Sequence, residues 1–322
     1  MISADSLYRK IRFPFKFTHA ALKFPVAQAH ARQYQVMSPE QTIDLLLRND
    51  RLSVCRYGDG ELEMTLFKNI GFQSFDERLS IRLKEIMRRG TRDDNPCLLC
   101  MPDAFRSTRN MRFGSALFWF FHKAFFFRRY EPLLKKTYQY GNTSVTRPYH
   151  DYIDKQQATR VFAKFKQLFY DKKILIVEGS GTRLGIGNDL MDGAREIKRI
   201  TTLNRNAFSV YNQLYTSVLA HAREYDLVLI SLGPTATVLA YDLSQQGIRC
   251  IDTGHIDIEY EWMRSAARTK TEIAGKNVNE AGVLLSDDQH DTDEHYRGQI
   301  LLHVGLPQEP MVNGVILQQP VV

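Results

Sequence analysis

The sequence predicts an α/β fold built on a mostly parallel sheet. Two observations carry this. Short apolar, β-branched runs, Ile174-Leu175-Ile176-Val177 and Leu227-Val228-Leu229-Ile230-Ser231, have the character of strands buried on both faces. They alternate with segments of helical length across short glycine-containing loops, the rhythm of βαβ units.

The elements follow in order. Residues 1–36 form a basic N-terminal extension, with Arg9, Lys10, Arg12, Lys16, Lys23 and Arg32 against the single acid Asp5. Its loosely amphipathic pattern, interrupted by Pro14 and Pro25, suits either an anionic membrane surface or packing over the next domain. Ser38-Pro39-Glu40-Gln41 reads as an N-cap, a proline at the first helical position and an acidic first turn, opening a helix through Leu47. Leu52–Arg56 reads as a short buried strand ending in the loop Tyr57–Glu61, with helix from Glu61 onward. The aromatic stretch Leu117–Arg129 reads as a helix apolar nearly all round, lying in the core or against lipid, the core being favoured.

From Lys173 the alternation sharpens. A strand over 174–177 leads into a glycine-rich turn, Glu178–Gly187, and a helix from Asn188. A strand over 197–200 and a helix over 208–222 follow, then the strand 227–231. Gly233-Pro234 opens a helix over Thr235–Gln245, Gly247 ends it, and Arg249–Asp252 is the next strand. Beyond about Lys276 the rhythm is lost, and the acidic, histidine-containing stretch Ser286–His295 reads as a loop or appendage. The predicted organisation is an extension over 1–36, a main domain over 37–272 and a C-terminal appendage over 273–322.

Composition narrows the function classes. The chain has 322 residues, 43% hydrophobic and 25% charged, ordinary for a folded protein with one large core or two modest ones. Its net charge of +7 is concentrated in residues 1–36, so the main domain has no basic surplus for a nucleic-acid groove and no nucleic-acid partner is expected. The four cysteines, Cys55, Cys97, Cys100 and Cys250, are too scattered for a disulfide framework. Cys97 and Cys100 have CxxC spacing but no second pair to complete a zinc site, and they sit in an apolar run that reads as a strand. No stretch reaches the roughly 18–20 apolar residues that cross a bilayer, and the N-terminus lacks a signal core. The expected location is the cytoplasm, at the inner face of the plasma membrane if the extension meets lipid.

The chemistry falls at the ends of predicted strands, where open parallel sheets bind ligands beside helix N-termini. After the first strand, Asp59 and Glu61 flank Gly60, and two carboxylates on a tight turn can offer hard oxygen ligands to Mg²⁺ or Mn²⁺ together with diphosphate oxygens. Gly58 and Gly60 permit close backbone approach to a phosphate, and Arg56 is placed to add a bidentate contact. D-G-E is also a common surface turn. Glu178, Gly179 and Arg183 open a glycine-rich loop with GxGxxxG rather than GxGxxG spacing, and the following strand ends without an acid for a ribose hydroxyl. That disfavours a nicotinamide site and leaves a nucleotide-phosphate loop, or simply tight helix-on-strand packing. Thr235 follows the Gly233-Pro234 break. His255, Asp257 and Glu259 alternate beyond the last strand as catalytic candidates, with Asp257 or Glu259 as the general base for an acceptor hydroxyl; the pattern equally suits a core histidine with surface acids.

Taken in order, Arg56–Glu61, Tyr140–Tyr149, Glu178–Leu190, Asn206–Phe208 and Asp252–Trp262 resemble the motif series of the GT-D fold glycosyltransferases, formerly a domain of unknown function. The resemblance covers roughly residues 37–270. It implies a Rossmann-like, mostly parallel sheet with helices on both faces, a UDP-sugar donor and a Mn²⁺-type ion. It places Asp59 and Glu61 at metal and diphosphate, with Arg147, Asn188, Asp189 and Asn206 inside matching motifs. The function it implies is metal-dependent transfer of a hexose, glucose by preference, to a glycan acceptor on a lipid or protein in cell-surface polysaccharide or glycoprotein glycan synthesis. Two competing readings are a Rossmann-type nucleotide-binding protein or dehydrogenase, and a surface adaptor resting on residues 1–36.

Overall fold

The computed structural model describes residues 4–92, 94–278, 281–283, 293–305, 311–312 and 315–316, with side chains of the first helix from residue 13. The acidic stretch expected at Ser286–His295 therefore lies outside the described residues as far as 292. Among the described residues, nine strands build the main sheet: β1 (Gln35–Val36), β2 (Ser53–Arg56), β3 (Cys97–Met101), β4 (Gln139–Asn142), β5 (Lys173–Gly179), β6 (Glu196–Thr202), β7 (Leu227–Ser231), β8 (Cys250–Asp252) and β9 (Ile300–His303). Their order is β1-β4-β3-β2-β8-β7-β5-β6-β9, and every neighbouring pair is parallel.

Strand alternation divides the core into two layers, because successive side chains point to opposite faces. Ile174 and Ile176 of β5, with Leu227 and Leu229 of β7, pack against α2 (Pro39–Arg48), α7 (Lys155–Phe169) and α10 (Ile256–Arg264). Leu175, Val177, Val228 and Ile230 face the other way, onto α8 (Tyr211–Ala222) and α9 (Pro234–Ser244). Helices thus cover both faces of the sheet. The capping signal at Ser38 is realised in full, with Gln41 N donating to Ser38 Oγ and Ser38 N to Gln41 Oε1.

The chain lays β2, β3 and β4 outward in one direction, then crosses to β5. From β5 it adds β6 on one side and β7 and β8 on the other. The reversal makes the carboxyl ends of β5 and β7 a topological switch point, the place where such sheets open a crevice.

Four expectations change. The helix from Asn188 does not form, and residues 180–195 run as turns and bends between β5 and β6. Gly185 and Gly187 have φ of +78° and +79°, and Asn188 Oδ1 accepts from Leu190 N at 3.1 Å, a local bond that competes with helix. The N-terminal extension is one helix, α1 (Ala4–Ala31), running through both prolines. The aromatic stretch is not a buried core helix. It comprises α5 (Phe113–His122), a π-helical turn over Lys123–Phe127 and α6 (Arg128–Tyr130), and it leaves Phe118 42% exposed. Its rings stack on α1, with Phe120 5.4 Å from Phe17 and 4.8 Å from Phe24. Beyond Lys276, α11 (Glu294–Gln299) leads into β9, which adds an edge strand beside β6.

Candidate functional site

A shallow cleft opens over the carboxyl ends of β5, β6, β7 and β8. Its walls include Gly179 after β5, Asn204 and Asn206 after β6, Gly233 after β7, and His255 and Asp257 after β8. Phe72, from the loop after α3 (Asp59–Met64), closes one side. The glycines are needed where they stand. A Cβ at Gly179 would meet Asn204 Oδ1 at 2.8 Å, and one at Gly233 (φ +54°) would meet the Phe72 ring at 2.3 Å. Asn206 takes the left-handed conformation, φ 52° and ψ 37°. It pins the Phe72 loop, since its N donates to Phe72 O at 3.0 Å and its Oδ1 accepts from Ser74 N at 2.8 Å.

The acidic turn lies one strand beyond the cleft, at the end of β2 beside β8. Asp59 is exposed and begins α3, while Glu61 is half-buried and accepts from Gly58 N through Oε2 at 2.8 Å. Gly58 is thus the N-cap of α3 and Gly60 lies in its first turn. Burial, and next the charge of Asp252, push the Glu61 carboxyl up to about 7, with Arg56 opposing them. Asp252 is raised by burial as well.

Arg56 joins this turn to the cleft. Its N and Nε donate to Asp252 at 3.2 and 3.3 Å, Nη1 donates to Thr143 O at 3.2 Å, and Thr146 Oγ1 accepts from the same nitrogen. Thr237 Oγ1 and Gly254 N, each at 3.1 Å, complete the shell of Asp252. Gly254 has φ +48°, and a Cβ there would lie 2.1 Å from Arg56 Nη2, so the guanidinium rests on the backbone that leads into His255.

The remaining candidates divide. Glu178 is fully buried: Oε1 accepts from Arg199 Nη1 at 2.6 Å and Tyr296 Oη at 3.2 Å, and Oε2 from Leu184 N at 2.8 Å. It braces the sheet and does not line the cleft. Arg183 pairs with Asp293 at 2.7 Å and covers the Tyr296 ring. Thr235 is fully buried in the first turn of α9, outside the cleft wall. His255 is the N-cap of α10, so the alternation over 255–259 belongs to a helix. Asp257 lines the cleft but accepts from Gly185 N at 2.9 Å, Asn188 Nδ2 at 2.7 Å and Lys276 Nζ at 2.5 Å. Glu259 is fully buried, away from the cleft, and accepts from Tyr149 N and His150 N, both at 2.9 Å. Burial raises its carboxyl.

Among the described residues, no group of three or more His, Cys, Asp or Glu side chains could hold a metal by itself. All four cysteines are buried free thiols, and burial raises Cys55, Cys100 and Cys250. Sequence reasoning missed Phe72, Asn204, Lys276 and Asn277. Asn277 reaches the cleft from the tail, its N donating to Gly181 O and its Nδ2 to Asn204 Oδ1, both at 2.8 Å. No local pattern marks it, because its partners lie far away in sequence.

Comparison with known proteins adds to this geometry. Residues 54–281 match the family model for the glycosyltransferase GT-D fold. The probable glycosyl transferase Gly of Streptococcus gordonii is 38% identical over 291 residues, covering 90% of this chain and 42% of that protein. Glycosyltransferase GlyD of Streptococcus pneumoniae is 37% identical over 270 residues, covering 84% of this chain and 32% of that one. The chain therefore spans well under half the length of either relative. Among solved structures, a new glycosyltransferase from Streptococcus sanguinis superposes with a TM-score of 0.77 at 39% identity, covering 84% of this chain and all of that one. The highly conserved domain of unknown function 1792, described as having a distinct glycosyltransferase fold, superposes with a TM-score of 0.81 at 32% identity, covering 88% of this chain and all of that one.

Proposed function

The chain belongs to the GT-D fold glycosyltransferase family, and from that premise we propose that it moves a hexose, glucose by preference, from a UDP-sugar to a hydroxyl of a glycan acceptor carried on lipid or protein. The observation that carries this reading is the placement of the acidic turn. Asp59 and Glu61 stand at the end of β2, tied through Arg56, Asp252 and Gly254 to a cleft at the switch point of the sheet. The cleft suits an anionic donor, since the N-terminus of α9 opens at Gly233 in its wall.

The residues present fit a divalent ion. Glu61 and Asp252 lie beside one guanidinium, and burial raises both carboxyls against its opposing charge. Asp59 and Glu61 would hold the ion as hard oxygen donors and leave its other positions to diphosphate oxygens and water. When bound, such an ion neutralises the charge that develops on a departing diphosphate.

The protein's own residues do the rest. Gly179 and Gly233 let Asn204 and Phe72 pack close to the strand ends that form the cleft wall, and Asn206 fixes the loop that carries Phe72. Of the three residues considered as base, Glu259 does not line the cleft, and Asp257 is engaged by three donors and holds the 185–188 turn and Lys276 in place. His255 remains at the cleft wall as the third candidate base.

The test is a donor panel scored by release of UDP, GDP and CMP, with and without chelator. UDP release that stops on chelation, and again in Asp59→Asn and Glu61→Gln, is the expected result. Full activity in either variant overturns the metal assignment, and release of GDP or CMP alone overturns the donor.

A further inference from the structure

The first helix is two-sided. At 100° per residue, Phe13, Phe17, Ala20, Phe24, Ala27 and Ala31 share one stripe, and this stripe meets the aromatic segment. Phe15, Leu22 and Val26 lie on the opposite stripe, 76%, 75% and 56% exposed. Folding therefore buries Ala20, Ala27 and Ala31 of the first stripe, leaves Phe13 and Phe17 stacked on other rings but half-exposed, and leaves the second stripe in water. Lys16, His19 and Lys23 line one side of that outer stripe, all of them exposed, and the other side carries the uncharged Pro14, Thr18, Ala21 and Pro25. Phe113 and Phe118 of α5 are also exposed, 81% and 42%, as are Arg128 and Arg129 beyond its π-helical turn.

The charge around this face has one sign. No acid occurs between Asp5 and Glu40. Glu131, which meets α1 at His30, is engaged by His30 at 2.7 Å and Arg128 at 3.3 Å. Lys16 and Lys23 reach over the rings of Phe121 and Phe125, at 4.9 and 5.9 Å, so their stems lie along apolar surface.

We propose that this face is a docking surface for an anionic lipid bilayer, with Phe15, Leu22 and Val26 at the acyl boundary and Lys16 and Lys23 among the headgroups. An apolar stripe rimmed by bases is the pattern of a helix lying in the interface plane. A second copy of the chain is the poorer occupant, because a two-fold contact would set the same bases against one another. Among the described residues no helix is long and apolar enough to cross a membrane, so the contact is peripheral. The cleft and its residues take no part in it.

Co-sedimentation with vesicles of phosphatidylcholine containing about a third phosphatidylglycerol tests the proposal. The unsubstituted protein sediments with these vesicles and not with pure phosphatidylcholine. The triple variant Phe15→Ser, Leu22→Ser, Val26→Ser and the pair Lys16→Glu, Lys23→Glu each lose about tenfold or more in partitioning. Both variants keep the thermal midpoint of the parent and its UDP release, because the altered side chains are exposed and remote from the cleft. No binding by the unsubstituted protein, equal binding to neutral vesicles, or either variant partitioning like the parent overturns the proposal. A concentration-dependent dimer that the triple variant abolishes, without vesicle binding, assigns the face to a second copy and overturns it too.

Discussion

Glu178→Gln separates a structural carboxylate from a ligand-binding one. In the structure Glu178 and Arg199 are 0% and 1% exposed and 2.6 Å apart. The remaining groups of both are satisfied by Leu184 N, Leu184 O, Tyr296 Oη and Gln299 Oε1. Glutamine preserves the shape but leaves a buried guanidinium without a counter-charge. Breaking such a pair costs about 3–5 kcal/mol. At about 2 °C per kcal/mol for a protein of this size, the thermal midpoint falls by ~6–10 °C. Replacing both partners by apolar groups, Glu178→Leu with Arg199→Met, removes the stranded charge and recovers much of that loss. Differential scanning calorimetry on the two singles and the double gives the coupling energy directly. A loss below about 1 kcal/mol in Glu178→Gln, or a double variant that merely sums the singles, refutes the reasoning. So does a thermal midpoint that stays put while donor binding disappears.

Three further outcomes follow from the same geometry. Asp59→Asn and Glu61→Gln each lower UDP release about 100-fold or more while leaving the thermal midpoint within a few degrees, measured by coupled assay and calorimetry. Gly254→Ala drives a Cβ into Arg56 at a positive φ and lowers stability by about 2 kcal/mol or more together with kcat/KM, whereas Gly187→Ala, at φ +79° with nothing within 4 Å, carries only the backbone cost of about 1 kcal/mol in urea unfolding. Burial, with Lys68 and Lys123 nearby, lowers His122 to about 3, so the unfolded chain binds its proton first as pH falls below 6.5. Stability is lost through that window, by as much as ~4 kcal/mol near pH 3, and urea midpoints across pH in His122→Phe show a flatter acid limb.

Much of the fold was legible because strands buried on both faces leave no ambiguity of pattern. Ile174–Val177 and Leu227–Ile230 have no polar position to misread, and both lie in strands of the structure. The helix expected from Asn188 failed for a nonlocal reason: Asn188 and the neighbouring Gly185 bond to Asp257, more than sixty residues away, and hold the chain in turns. Pro14 and Pro25 suggested interruption, yet α1 continues, because its inner stripe is held by the rings of Phe120 and Phe121. At the site, glycines at strand ends were readable as points of close approach. The roles of the acids were not. Asp257 and Glu259 look alike in sequence, and only their partners reveal that Asp257 is held by three donors while Glu259 lies away from the cleft with one oxygen on two backbone amides.

The late edge strand has a consequence for synthesis. Until β9 pairs with β6, the unpaired groups of β6 are a template for another chain. β6 ends at Thr202 and β9 begins at Ile300. At about 5–20 residues per second, the ribosome leaves that edge open for ~5–20 s after β6 emerges. Asn277 joins the cleft wall, and Lys276 reaches Asp257, only late in the same interval. A polypeptide released before residue 300 would expose both a sticky edge and an unfinished binding site, so quality control has a single late event to sense.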